Sequence, residues 1–288
     1  MINPGAGQRA AAKVKPLAPS LFPAKDWSLE FIELKNWREI RPLAARAVKQ
    51  GAYGVVAVGG DGTINQVAPA LVGSKTRLGL IPAGTGNGFA RALAIPLDAQ
   101  GACRVLARGV SKRFDYGAMD LGRGYANMLG LGWDAWIAGK ANELRWLNKI
   151  SGFLRYLGAA ILCAGKLGTQ KMRLVIDGKV VEGDFLVVAI ANSPQYGFGC
   201  TIAPMAHMAD GHFDVVCLPA IGPWAFLVNC VRLFSQKPLM GATFYRAKKV
   251  SVSSLAATEW PLHLDGEPGG TTPFHLTVRP KALQVLVP

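Results

Sequence analysis

Two apolar runs in the first third of the chain each end in a glycine-rich turn and pass straight into a helix-like segment. "VVAVGG" leads into "TINQVAPALVG", and "RLGLIP" leads into "AGTGNGFARALAI". Runs that are apolar without alternation suit strands buried on both faces, as in a parallel sheet whose crossovers are helices. The repeat predicts an α/β first half, with both turns at the carboxyl ends of neighbouring strands.

After about Asp115 the texture changes to short β-rich runs separated by turn signals, such as "MRLVIDGKVVEGDFLVVAIAN", "HFDVVCLP" and "WPLHLDGEPGG". Asp177-Gly178 between two such runs is a strong hairpin signal. The second half is predicted to be mostly antiparallel β, with helix-like interruptions at roughly Ile137 to Gly165 and Trp224 to Phe234. The reading is an α/β domain over residues 1–117, a β-rich domain over 118–275, and a final segment, 276–288, returning to the first domain. A length of 288 residues accommodates two such domains.

Half of the residues are apolar and 17% are charged, which excludes a disordered chain. The net charge of +14 points to an anionic partner: nucleic acid, a phosphorylated small molecule or an acidic membrane face. No recognition helix or RNA-binding signature accompanies the dispersed cations, so nucleic acid is not the expected partner. Cys103, Cys163, Cys200, Cys217 and Cys230 form no CxxC pair, and their odd number argues against a disulfide framework and for a reducing, cytoplasmic compartment. The opening "MINPGAGQRAAAKVKP" lacks an apolar core of signal-peptide length, and no apolar run is long enough to span a bilayer.

The turn after the first run suits phosphate. Gly59 and Gly60 admit a ligand close to the backbone, and the following helix start offers N–H groups and a positive dipole end. Asp61 in that turn would repel a phosphate unless a cation lay between them, so its expected task is to hold Mg²⁺. Thr63 and Asn65 add hydrogen-bond partners. The plain alternative is a tight strand-to-helix turn with Asp61 and Thr63 as caps. "PAGTGNGFAR", Pro82 to Arg91, has the same make-up; no Lys follows the glycines as in a Walker loop, and neither turn is a dinucleotide fingerprint.

"INPGAG", "GGDGTIN", "PAGTGNGFAR", "MADGHFDV" and "HLDGEP", in that order, resemble the bacterial diacylglycerol kinase-like lipid kinases, a superfamily that includes sphingosine and ceramide kinases. The resemblance runs from Asn3 to about Pro268. It implies an NAD kinase-like nucleotide-binding domain followed by a β-rich lipid-substrate domain, with ATP and substrate meeting in the cleft between them. It implies ATP phosphate contacts from Gly59, Gly60, Asp61, Gly62, Thr63, Ile64 and Asn65, joined by Gly84, Thr85 and Asn87 of the second loop and by Asn3. Asp61 and Asp115 would belong to the network around a catalytic Mg²⁺. A structural Mg²⁺ would sit on Asp210 and the carbonyls of His207 and His212; a zinc site there lacks a third ligand. Glu267 is the expected proton acceptor, with Asp265 beside it or on the metal, since residues two apart on a strand face the same side. Standing alone, "DGEPGG" also reads as a plain β-turn.

The chain departs from that pattern in three places. Gly88 stands where many members carry a metal-side Asp, which opens the identity of the lipid, because sphingosine kinases also have a small residue there. A threonine expected on the nucleotide side is not evident near Glu33. Only Met1-Ile2 remain of the strand that normally precedes Asn-Pro, so the natural chain is expected to start further upstream, which the intact mass of the natural protein tests.

"WDAWIAGKANELRWLNKISGFLRYLGAAILCAGK", Trp133 to Lys166, mixes Trp, cations and apolar residues at helical spacing and suits either a membrane interface or a core helix pair. The resulting expectation is a cytoplasmic, peripherally membrane-associated kinase that uses ATP and Mg²⁺ to phosphorylate a neutral lipid at an anionic membrane, with diacylglycerol as first substrate. A homodimer is compatible with this reading. The rivals are a sphingoid-base or other lipid-alcohol kinase, an NAD kinase sharing the GGDG turn, and a catalytically silent nucleotide- or lipid-binding protein.

Overall fold

The structure is a computed structural model and describes residues 1, 8–144, 158–159, 162 and 168–288. The chain forms two compact units, Met1–Phe114 with Lys281–Pro288, and Asp115–Pro280.

In the first unit, helix α1 (Gln8–Leu21) and helix α2 (Ile40–Lys49) precede strand β1 (Gly54–Gly59). Helix α3 (Asp61–Leu71) then crosses over to strand β2 (Arg77–Pro82), which runs parallel to β1 from Gly54↔Arg77 to Gly59↔Pro82. Ile64, Val67, Ala68 and Leu71 follow the i, i+3, i+4, i+7 pattern and are all buried. The short helix α4 (Gly88–Ala92) follows the second glycine loop. Helix α5 (Ala99–Arg108) is capped by Asp98, which accepts the Gly101 N–H at 2.7 Å, and buries Ala102, Cys103, Val105 and Leu106.

Strand β3 (Val110–Met119) leaves the first unit for the second. The second unit contains β4 (Arg123–Tyr125), β5 (Met128–Gly132), β6 (Gln170–Ile176), β7 (Lys179–Ala191), β8 (Gln195–Gly197), β9 (Cys200–Thr201), β10 (Phe213–Pro219), β11 (Thr243–Ala247), β12 (Lys249–Ser254), β13 (Pro261–Leu264) and β14 (Glu267–Thr271). The last strand, β15 (Phe274–Val287), pairs with β12 through its first residues; Val285, in its last part, pairs parallel to Leu78 of β2. On the far side of β1, Met1 donates its amino group to Val56 O and accepts from Val58 N, so it occupies a strand position beside β1.

The long strand β7 organises the second unit. Its first half, "KVVEGD", pairs with β6 across the turn Asp177-Gly178, both at positive φ, as the hairpin signal predicts. Its second half, "FLVVAIA", lies between β5 and β10 and is apolar without a break because both of its faces meet buried cores. Alternate residues feed two cores. Leu129, Leu131, Val188 and Ile190 face one, and Met128, Val187, Ala189 and Ala191 face the other. Against the second core lie Trp133, which opens helix α6 (Trp133–Glu143), and Leu233 of helix α7 (Pro223–Phe234). Helix α7 matches the second predicted interruption. Of the first, only the part to Leu144 and residues 158–159 and 162 lie among those described.

Candidate active site

Parallel pairing of β1 and β2 sets their terminal loops side by side, and the ladder continues one step further as Ala83 N donates to Gly59 O at 2.9 Å. The loops then touch backbone to backbone. A Cβ built on Gly60 would stand 2.9 Å from the Cα of Gly84, and one on Gly59 would stand 2.1 Å from the Thr63 hydroxyl. The second loop is held from inside by Asn87, at φ 48°, whose amide accepts from Gly84 N at 3.0 Å and donates to Gly84 O at 2.9 Å.

Asp61 spans the two loops. One carboxylate oxygen accepts the Gly88 N–H at 2.9 Å and the other the Phe89 N–H at 3.1 Å, so the acid caps α4 from the start of α3. Burial pushes its pKa up, while those amides and the Arg91 charge act in the opposite direction. Thr63 and Ile64 are buried on the inward face of α3. Gly60, Gly62, Asn65, Gly84 and Thr85 are half-buried. Asn3 lies outside the described residues.

In the second unit, Asp265 and Glu267 do not share a strand face as expected. Asp265 and Gly266, at φ 52° and 82°, form a two-residue turn joining β13 to β14, a backbone that Asp tolerates and Gly prefers. The Asp265 carboxylate turns back onto strand β5 and its approach, accepting N–H groups from Ala126 at 3.1 Å, Asn127 at 3.0 Å and Met128 at 2.8 Å. Asp177 in the other Asp-Gly hairpin does the same to Lys248 and Lys249 at the start of β12. Glu267 opens β14, half-buried and paired with Leu264. The residues that fasten this region went unnoticed in the sequence. Asn192 donates to Asp115 O and Ala126 O, and Asn127 donates to Gln195 O. Their only signal is a polar residue at the edge of an apolar strand, in "YANML" and "IANSP".

The expected metal residues of the second unit serve other ends. Asp115 is buried, accepts the Gly211 N–H at 2.6 Å and donates its own N–H to Met208 O, so it holds the 208–211 turn. Asp210 accepts the His212 N–H with one oxygen and the Arg246 guanidinium at 2.5 Å with the other, and the His212 ring lies 2.9 Å from the Asp210 carbonyl. His207 is exposed. With a guanidinium already on Asp210, this donor set does not fit a dication, which would face the Arg246 charge. Among the described residues no three His, Cys, Asp or Glu side chains cluster for a metal.

A model of the diacylglycerol kinase catalytic domain matches residues 1–119, and the YegS C-terminal NAD kinase beta sandwich-like domain matches residues 127–287. The chain belongs to the diacylglycerol kinase and YegS-like lipid kinase family. This lipid kinase is 28% identical over 298 residues to the "Diacylglycerol kinase" of Mycobacterium tuberculosis, covering 100% of this chain and 94% of that protein. It is 32% identical over 270 residues to the "Probable lipid kinase YegS-like" of Pseudomonas putida, covering 91% and 86%. A crystal structure of a diacylglycerol kinase from Bacillus anthracis superposes with a TM-score of 0.75 at 19% identity, over 100% of this chain and 95% of that one. An NAD kinase from Archaeoglobus fulgidus, solved with ATP, shares the fold at a TM-score of 0.54 and 10% identity, over 99% and 91%. The lipid kinase thus combines an NAD kinase-like fold with a strand-rich second unit.

Proposed function

We propose that this lipid kinase transfers the γ-phosphoryl group of ATP, bound as its Mg²⁺ complex, to the hydroxyl of diacylglycerol, giving phosphatidic acid and ADP. The observation that carries the donor side is the pair of glycine loops at the ends of β1 and β2, set against each other beside the start of α3. Backbone N–H groups of the glycine loops and the positive dipole end of α3 suit a triphosphate. Gly60, Gly62, Asn65, Gly84 and Thr85 are the residues assigned to it, and Asp61 and Asn87 keep the loops in shape. On the acceptor side Glu267 takes the hydroxyl proton as the lipid oxygen bonds to the γ-phosphorus, and the bond to the β–γ bridging oxygen breaks to release ADP. Asp265 positions the turn that carries Glu267.

The lipid is reached at a membrane. Trp224, Val231 and Phe234 form one stripe of α7 and are 74%, 67% and 53% exposed. Residues 215–258 include Arg232, Lys237, Arg246, Lys248 and Lys249 and no acid. An apolar stripe within an acid-free, cationic stretch complements an anionic bilayer. No helix among the described residues is long and apolar enough to cross a membrane.

Labelled γ-phosphate from Mg-ATP, offered with diacylglycerol, monoacylglycerol, ceramide and sphingosine in mixed micelles and with NAD as an outgroup, tests the reading. Labelled phosphatidic acid is expected. A labelled sphingoid base would favour the second reading, for which Gly88 speaks, and ATP binding without labelled product would point to a silent binding protein.

A further inference from the structure

Beneath the Asp265-Gly266 turn lies a buried chain of polar side chains that neither the metal residues nor the acceptor explains. His263 on β13 is 4% exposed. Its Nδ1 accepts the Gly266 N–H at 3.3 Å, and its Nε2 lies 3.4 Å from Oδ2 of Asp134, in the first turn of α6. The same Oδ2 accepts the Tyr196 hydroxyl at 2.7 Å, and the other Asp134 oxygen accepts the Ala135 N–H at 2.7 Å. Burial, followed by the Asp134 charge, raises the Tyr196 pKa well above its ordinary value, so its hydroxyl remains a donor.

Imidazole and carboxylate meet over a bare backbone. Gly130 of β5 pairs with His263, and a Cβ there would stand 2.0 Å from Asp134 Oδ2 and 2.4 Å from His263 Nε2. A methyl group at residue 130 would occupy the place where the two side chains approach.

The two ring nitrogens have opposite tasks. An amide N–H can bond to Nδ1 only if that nitrogen carries a lone pair, and a carboxylate at Nε2 selects the tautomer with its proton there. From this geometry we infer that His263 is a positioning residue for phosphoryl transfer: Asp134 sets its tautomer, and its Nδ1 holds the Gly266 amide, and with it the turn that presents Glu267. The inference rests on the reading of Glu267 as proton acceptor. Such a role acts on kcat, because a displaced acceptor loses alignment with the hydroxyl while the ATP loops are untouched.

Three variants separate the parts. His263→Asn puts an amide oxygen at the Nδ1 position; Asp134 still has the Tyr196 hydroxyl and the Ala135 N–H. His263→Gln reaches toward Asp134 without that acceptor, and His263→Leu has neither group. Purified full-length enzyme is expected to keep kcat within about threefold in the Asn variant and to lose about tenfold or more in the Gln and Leu variants, with KM for Mg-ATP unchanged. Equal losses in all three, or full kcat in the Leu variant, would overturn the inference. Nitrogen NMR of the wild-type ring provides a readout free of activity, with a proton on Nε2 and a lone pair on Nδ1 expected and a protonated Nδ1 contradicting the inference. If Glu267→Gln retains turnover, the acceptor reading fails; if it loses turnover while His263→Leu does not, only the role of His263 fails.

Discussion

Gly60 and Gly84 lie against each other without side chains between them: a Cβ added to Gly84 would be 2.5 Å from the Cα of Gly60 and 2.9 Å from the Asn87 amide oxygen. The glycines of both loops are therefore needed for the contact between the loops as well as for any ligand. The two loops brace each other, and Asp61 ties one to the other.

Gly84→Ala is expected to destabilise by about 1–3 kcal/mol, because the methyl meets backbone that cannot step aside. Gly139→Ala in α6 is the contrasting case, with no atom of the described residues within 4 Å of the added carbon, and is expected to stabilise by about 0.5–1 kcal/mol. Urea midpoints of the two variants, measured at constant slope, check the contrast.

Asp61→Asn is expected to change how stability varies with pH. A carboxyl whose pKa is raised in the folded chain keeps its proton there after the unfolded chain has lost it. Its contribution is therefore full below the unfolded value and falls as pH rises from there through the raised folded value. The wild-type minus Asp61→Asn difference in unfolding free energy should decline across that window, and a flat or rising difference would contradict the assigned shift. At neutral pH the Asn variant also loses one acceptor at the start of α4, at a cost of about 1–2 kcal/mol.

The two acids of the acceptor turn should separate cleanly. Glu267→Gln is expected to lower kcat by about 10²–10⁴ while leaving ATP binding and the unfolding midpoint in place. Asp265→Asn removes the charge from a carboxylate that accepts three backbone amides, and should lower stability by about 2–3 kcal/mol before any kinetic effect is read. Calorimetry alongside single-turnover kinetics distinguishes the two.

On the membrane side, Trp224→Ser with Phe234→Ser should abolish cosedimentation with phosphatidylglycerol vesicles while leaving activity toward a short-chain, micelle-free diacylglycerol intact. Raised salt should weaken the wild-type binding, because the cations around α7 act through a screened field. Undiminished binding by the double variant would move the docking surface elsewhere.

The strands, the crossover helix α3, the Asp177-Gly178 hairpin and the family motifs were legible because each is written in neighbouring residues: a burial period, a turn dipeptide, a glycine after a strand. What the carboxylates do was not. Asp61 finds its amides 27 and 28 residues away, Asp265 finds one of its amides 138 residues away, and Asp210 meets Arg246 across 36 residues. An aspartate at a turn is equally fit for a metal, a proton or a backbone N–H, and which of these lies within 3 Å is set by the segments that pack beside it. Local chemistry in the sequence determined the fold and the family. Only the tertiary structure decided that four of the five expected metal and catalytic acids, Asp61, Asp115, Asp210 and Asp265, accept backbone N–H groups, and that a buried histidine holds the Gly266 amide beside the fifth, Glu267.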